Sequence, residues 1–496
     1  GIGSGTSSSG ETTIDISGGT VTAMGGGDGY DGSAGIGSGS HSTGYTHITL
    51  HDGVTVKATG GGNSSLGGGG GAGIGSGNRA KGNTDILIKG ATKVTAKGGS
   101  TAAGIGSGNG SNGSTIINIE GGTITAEGGG KENGSCQASG AGIGSGGNAL
   151  NKTTINIKGG EITATGGVSL DSRNHSDKWL SGAGIGSGSN VSGETEINIS
   201  GDSTIKSASG GKYGGAGIGS GSYSGSTPDS KKGAVTINIT GGNIEKATGG
   251  GEYVSSSKRW YSGAGIGAGL NAGTTTINIK DNAHIVSATG GKYGGAGIGS
   301  GSSDTKNNSK KGAVTINITD GTIEKAEGKN GGAGIGSGYY GRSSTVNISG
   351  NAELKDVKGG NLAAGIGSGY DSDKVDVVID GGTINATGGD SAAGIGSGLN
   401  SRSSVTIKSG TVNAKGNQHS NSGSSGIGGS YADVTISGGN ITPTGYDTGA
   451  GIGGSHNGAS RQNTLNRGTH TATRTRETPP LRGAAAGPPQ NQTPPL

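Results

Sequence analysis

Chemistry in this chain would have to come from few and scattered groups. Lysis or hydrolysis of a polysaccharide needs two or three carboxylates converging on one wall beside a cation. The acids are dispersed instead: Asp171 and Asp177 share one segment, Asp229 lies in another, Asp371 and Asp373 in a third. Asp281 and Asp320 are the one equivalent pair, each two residues past an "INI", where Asp is an ordinary turn residue. His41, His47 and His51 gather near the start, and alternation puts His47, Thr49 and His51 on one outward face, which we read as solvated rather than metal-binding. "GGGDGYDG" at 25–32 has a faint likeness to calcium-binding nonapeptides, but it occurs once and such sites need stacked copies. Cys136 is the only cysteine, so neither a disulfide framework nor a cysteine-rich metal site is available. The expectation is a non-enzymatic protein without cofactor or metal, with a polysaccharide lyase or hydrolase ranked third among functions.

The aromatic residues say more, because they are scarce: no Phe and two Trp. Trp179 in "DKWLSGAGIG" and Trp260 in "KRWYSGAGIG" each stand six residues before a motif isoleucine, Ile185 and Ile266. Tyr213, Tyr261 and Tyr293 each stand five residues before theirs. Lys178, Lys212, Lys258, Arg259 and Lys292 accompany them. Similar offsets predict one edge of a repeated scaffold, carrying an aromatic stripe into which two long connectors, 166–182 and 249–263, lead. Exposed rings with polar neighbours can stack on the apolar C–H faces of sugars. The competing reading is that they cover the core where each connector enters a strand. Tyr339, Tyr370 and Tyr431, each four residues after a motif isoleucine, form a weaker second stripe.

What must position these side chains is a repeat. "AGIGSG" or a near copy recurs around fourteen isoleucines from Ile2 to Ile452, spaced 25 to 48 residues apart. Between them lie blocks such as "TINIKGGEITATGG" at 154–167. Each piece has period two, which is strand and not helix: Ile155 and Ile157 share a face, and Thr154, Asn156 and Lys158 share the other. The "GG" between the two halves supplies the positive φ of a tight corner. The fold class is therefore all-β, a single-stranded parallel β-helix of about 13 coils with three short strands each. One coil buries too few aliphatic side chains to offset its own ordering entropy, so the coils fold as a stack. Asn118, Asn156, Asn198, Asn238, Asn278, Asn317 and Asn347 recur at one strand position; an amide ladder is the expected role, a lattice-matching surface the alternative. The motif glycines fit either closely packed corners, the expected role, or a bare flat wall made for a partner.

The composition agrees with such an array and excludes others. There are 496 residues with 122 Gly, and the net charge of +4 is small for that length, so no nucleic-acid partner is expected. No apolar run is long enough to insert in a membrane as a helix. The chain opens in mid-motif on "GIGSG", which we read as part of a longer protein. We place the repeat domain at 1–455 and a disordered Pro/Arg-rich tail at 456–496, which holds six of the eight prolines. The combination "GAGIGSG … TINIxGGxITAxGG" resembles the glycine-rich repeats of bacterial cell-surface and secreted proteins. That resemblance implies a pectate-lyase-like, right-handed β-helix and an extracellular or cell-surface location. It also implies adhesion or binding of a polysaccharide or surface glycan. The ligand-binding expectation falls on Trp179, Tyr213, Trp260, Tyr261, Tyr293, Lys212 and Arg259. A passive stalk is the second reading.

Overall fold

A computed structural model describes the chain except residues 28–30, 63–68, 131–137, 172–177, 225–226, 255–258, 304–311, 418–422, 456–461, 467–468 and 476–496. Three ladders of parallel strands run its length. Face A is built from the Ile–Gly pairs of the glycine motif, fourteen strands stacked in sequence order from Ile2–Gly3 to Ile452–Gly453. Each isoleucine sits over the next: Ile143 on Ile185, Ile185 on Ile218, Ile218 on Ile266. Face B carries the "TINI" strands, for example Thr195–Ile199 over Val235–Ile239 over Thr275–Ile279. Face C carries the "ITA" strands, for example Thr20–Met24 over Thr55–Thr59 over Lys93–Lys97. In five coils, among them Thr153–Thr165 and Val375–Thr387, faces B and C are one strand continuing through the corner. Every coil pairs with the next one in sequence, which is the expected single-stranded parallel β-helix.

Alternation drives this arrangement. In Thr195–Ile199, Ile197 and Ile199 are buried while Glu196 and Asn198 remain at the outer surface. The inward isoleucines, valines and alanines join into one continuous core from Ile14 to Ile441. At the B–C corner the chain reverses through positive φ, as at Gly160 (88°) and Gly242 (75°). Asp52 (52°) and Asp281 (57°) adopt the same left-handed geometry at that corner, which Asp tolerates better than most residues.

The motif glycines are packed, and they leave no bare wall. A Cβ on Gly75 (φ 136°) would lie 1.8 Å from the carbonyl oxygen of Gly106 on the next coil, and Gly144 stands in the same relation to Gly186. No side chain fits there, so the close-approach explanation holds and the partner-wall alternative falls. The motif serine adds a bond per coil: Ser76 Oγ accepts from the Gly108 N–H at 3.0 Å, and Ser220 Oγ from the Gly269 N–H at 2.8 Å. Ala268 interrupts this column.

The asparagines form the expected ladder. From Asn156 to Asn347 each Nδ2 donates to the Oδ1 of the previous coil at 2.8–2.9 Å. Leu87 and Val378 flank it in register. The amides are spent on one another, so the lattice-matching alternative loses its support.

The pairing also runs past the expected boundary at Ser455. Gln462–Leu465, Thr469–His470 and Thr473–Thr475 stack in parallel on Tyr431–Ile436 and Asn440–Tyr446. They escape the repeat pattern because Asn463 stands over Val434 and His470 over Ile441; backbone pairing persists where the apolar pattern has ended. The remainder of the proposed tail, 476–496, lies outside the described residues.

Candidate functional site

The two long connectors are antiparallel hairpins on the edge where face C returns to face A. Val168–Asp171 pairs with Lys178–Ser181, and Gly251–Val254 pairs with Arg259–Ser262. In the second hairpin Tyr253 lies opposite Trp260, and Glu252 opposite Tyr261. Neighbouring residues of a strand point to opposite faces, so Trp260 and Tyr261 separate: Trp260 is 41% exposed, Tyr261 6%.

The expected single stripe is therefore two clusters. The first is a small satellite core: Tyr213 (4% exposed), Tyr261 and Leu270 pack with Val168 and Trp179. Trp179 meets Tyr213 edge-on at 4.4 Å, and Tyr213 meets Tyr261 edge-on at 6.4 Å. The Trp179 indole Nε1 is buried with no hydrogen-bond partner among the described residues. For Tyr213 and Tyr261 the binding expectation is corrected: they cover the core, and their ring faces are spent on protein. Lys212 lies with its ammonium 5.0 Å from the Tyr213 ring, so it belongs to this packed cluster.

The second cluster is open. Trp260 contacts Tyr253 (6.2 Å, 81° between planes), Tyr293 (5.8 Å) and Tyr339 (5.7 Å). Tyr253, 41% exposed like Trp260, also reaches Tyr293 at 6.3 Å. Tyr339 continues the array to Tyr340 (4.1 Å) and stacks on Tyr370 (5.4 Å, 23°). Two of the three residues of the weaker stripe thus join Trp260 and Tyr293. Tyr431 does not; it opens a strand in register with Arg402. The Lys292 ammonium lies 5.2 Å from the Tyr293 ring. Burial, then the Tyr340 hydrogen bond, push the Tyr339 phenol well above the usual range, so this phenol stays neutral across physiological pH. Arg259 sits in the hairpin strand with its side chain outside the described residues, as is that of Lys178; Lys258 lies wholly outside them.

Sequence reasoning missed Tyr253 and Tyr340. The signal for Tyr253 was its place in "GEYVSSSKRWYSG", where a strand–turn–strand reading puts it across from Trp260.

Of the polar candidates, the histidines pair with carboxylates of the scaffold. Asp281, His284, Asp320 and Glu353 border a shallow groove at the B–C corner. There Lys355 (3.0 Å) and His284 (3.3 Å) hold Glu324 below the ordinary carboxylate range. His51 is clamped between Asp15 and Asp52, each 2.7 Å away, and its pKa is raised. His47 faces Glu11 at 3.3 Å and stacks on Tyr45. Among the described residues no three His, Cys, Asp or Glu side chains are grouped to hold a metal. The segment 25–32 is described only in part, since 28–30 lie outside.

A family model described as Beta helix repeat matches residues 14–40, 86–109, 117–147, 155–189, 237–270, 316–339, 377–399, 405–431 and 434–456. These segments together make half of the chain. No curated protein and no solved structure matches it.

Proposed function

This chain belongs to the beta helix repeat family, and from that premise we propose that it is a non-enzymatic, carbohydrate-binding protein of the extracellular space or cell surface. The observation that carries this reading is the open ring cluster on the hairpin edge. Tyr253 and Trp260 stand nearly perpendicular and are each 41% exposed, with Tyr293 and Tyr339 behind them. Two crossed aromatic planes over an apolar floor suit a ring with one C–H face and a hydroxyl rim. Tyr339 and Tyr370 stack on each other, so they buttress the site more than they extend it.

The test is tryptophan fluorescence in a Trp179→Phe background, where Trp260 alone reports. The protein is titrated with a panel of neutral and acidic polysaccharides. A saturable change for one class, abolished by Trp260→Ala, supports the reading. A flat response across the panel removes it and leaves a structural spacer, which the unbroken stack of fourteen rungs favours; at ~4.8 Å per rung the rod is roughly 65 Å long.

A further inference from the structure

The chain contains the same two-coil unit twice, and comparing the copies identifies what the open cluster is shaped to hold. "KWLSGAGIG" followed by "GKYGGAGIGSGS" recurs as "RWYSGAGIG" followed by "GKYGGAGIGSGS". In both copies a hairpin tryptophan leans on the tyrosine of the next coil: Trp179 on Tyr213, Trp260 on Tyr293. The backbone frame around the two tyrosines is also the same. The Gly214 carbonyl accepts from Leu270 and that of Gly215 from Gly250. Correspondingly, the Gly294 carbonyl accepts from Tyr339 and that of Gly295 from Lys329.

The copies differ in what the following coil lays over the tyrosine. Above Tyr213, the bond from Gly263 N–H to the Gly250 carbonyl closes a hairpin of residues 251–262, which sets Tyr261 edge-on against the ring. Above Tyr293, the equivalent bond from Gly332 to Lys329 closes a turn of only Asn330 and Gly331. Asn330 stands two residues before Gly332 as Tyr261 stands before Gly263, Gly331 beside it is packed against Tyr339 and Tyr370, and Tyr293 stays partly exposed where Tyr213 is buried.

We infer that this slot, bounded by Trp260, Tyr293 and Tyr339, seats one pyranose ring of the glycan in the position Tyr261 fills one unit earlier. The inference rests on the carbohydrate reading above and narrows it: the ligand is engaged through a single sugar, at a chain end or a branch. A pyranose is close to a phenol ring in breadth. Its C–H face lies against the Tyr293 ring from the side on which Tyr261 meets Tyr213, and its hydroxyls face the exposed Asn330 and Lys292 at the rim.

The test uses the full chain in the Trp179→Phe background, titrated with the methyl glycosides of glucose, galactose, mannose and N-acetylglucosamine. At least one should give a saturable Trp260 signal and compete with the polysaccharide that binds. Replacing Asn330 and Gly331 by the sequence of residues 251–262 builds the missing cover and should weaken that binding about ten-fold or more, the scale of one lost ring contact with its buried area. Should the graft fail to fold, Tyr293→Ala, a partly exposed site, should give the same loss. Undiminished binding in either folded variant overturns the slot, as does polysaccharide binding that no single-ring glycoside competes for; with Trp260 still required, the broader reading survives both. No signal from glycoside or polysaccharide removes both.

Discussion

Replacing Asn238 with alanine removes two hydrogen bonds at once: its Nδ2 donates to Asn198 Oδ1 at 2.8 Å, and its Oδ1 accepts from Asn278 at 2.8 Å. Asn347 stands at the end of the same ladder, bonded at 2.9 Å to Asn317 on one side and facing Val378 on the other. Both side chains are half-buried, and the change from amide to methyl is the same, so intrinsic strand preference and side-chain entropy nearly cancel between the two variants. At about 1 kcal/mol net per neutral hydrogen bond, Asn238→Ala should cost about 2 kcal/mol and Asn347→Ala about 1 kcal/mol. A stacked array need not unfold in one step, so the right assay is native-state hydrogen exchange, read at the amides of Thr195–Ile199, Val235–Ile239 and Thr275–Ile279. Opening of these rungs should become easier in Asn238→Ala. The effect should be about twice that of Asn347→Ala on its own rungs. Equal costs, or a cost for Asn238→Ala within about 0.5 kcal/mol of zero, would refute the ladder as a source of stability and return the amides to solvent.

Ala268→Ser should place a hydroxyl where Ser220 and Ser300 have theirs, accepting from the Gly301 N–H and raising stability by about 1 kcal/mol; a lowered urea midpoint would show that the column is closed there by more than the missing oxygen. Arg342 is buried and its Nη1 donates to the Ala272 and Gly273 carbonyls at 2.7 and 2.6 Å. Arg342→Ala should therefore cost about 3–6 kcal/mol, the worth of two charge-assisted bonds, seen as a large drop in thermal midpoint. The His51 imidazole should titrate above its ordinary value of 6.5, because Asp15 and then Asp52 accept its protons. Its stabilising contribution is full below 6.5 and is lost as pH rises through the raised value. His51→Gln should consequently matter at acidic pH and lose its effect at alkaline pH, and an NMR titration at or below 6.5 would contradict the clamp.

The repeat was legible because its grammar is local. Ile143, Ile155 and Ile162 alternate with small or polar residues over stretches short enough to read directly, and the corner glycines announce themselves. The aromatic edge was legible only in part, and the reason is physical. Tyr213 and Tyr293 share the local sequence "GKYGGAGIGSGS", yet one is buried and the other is not, because the cover belongs to the following coil. Nothing within several residues of either tyrosine encodes that difference. Trp260 and Tyr261 were grouped by their distance from Ile266, whereas hairpin register sends them to opposite faces. The last rung was hidden for the opposite reason: main-chain pairing needs no apolar pattern, and Asn463 and His470 stand in register with Val434 and Ile441.

The ladders of all three faces run in the direction in which the coils stack, and this fixes how the rod responds to force. A pull on its two ends acts along those hydrogen bonds, so they are loaded one rung at a time and not in shear across a whole sheet. Such a tether yields by peeling at an end. Each release frees the 25 to 48 residues between successive motif isoleucines, a gain in contour of roughly 80–170 Å at ~3.3–3.6 Å per residue. Extension under load would then proceed one coil at a time, in steps that differ by up to about two-fold in length, and the coils not yet reached would keep their side chains in place.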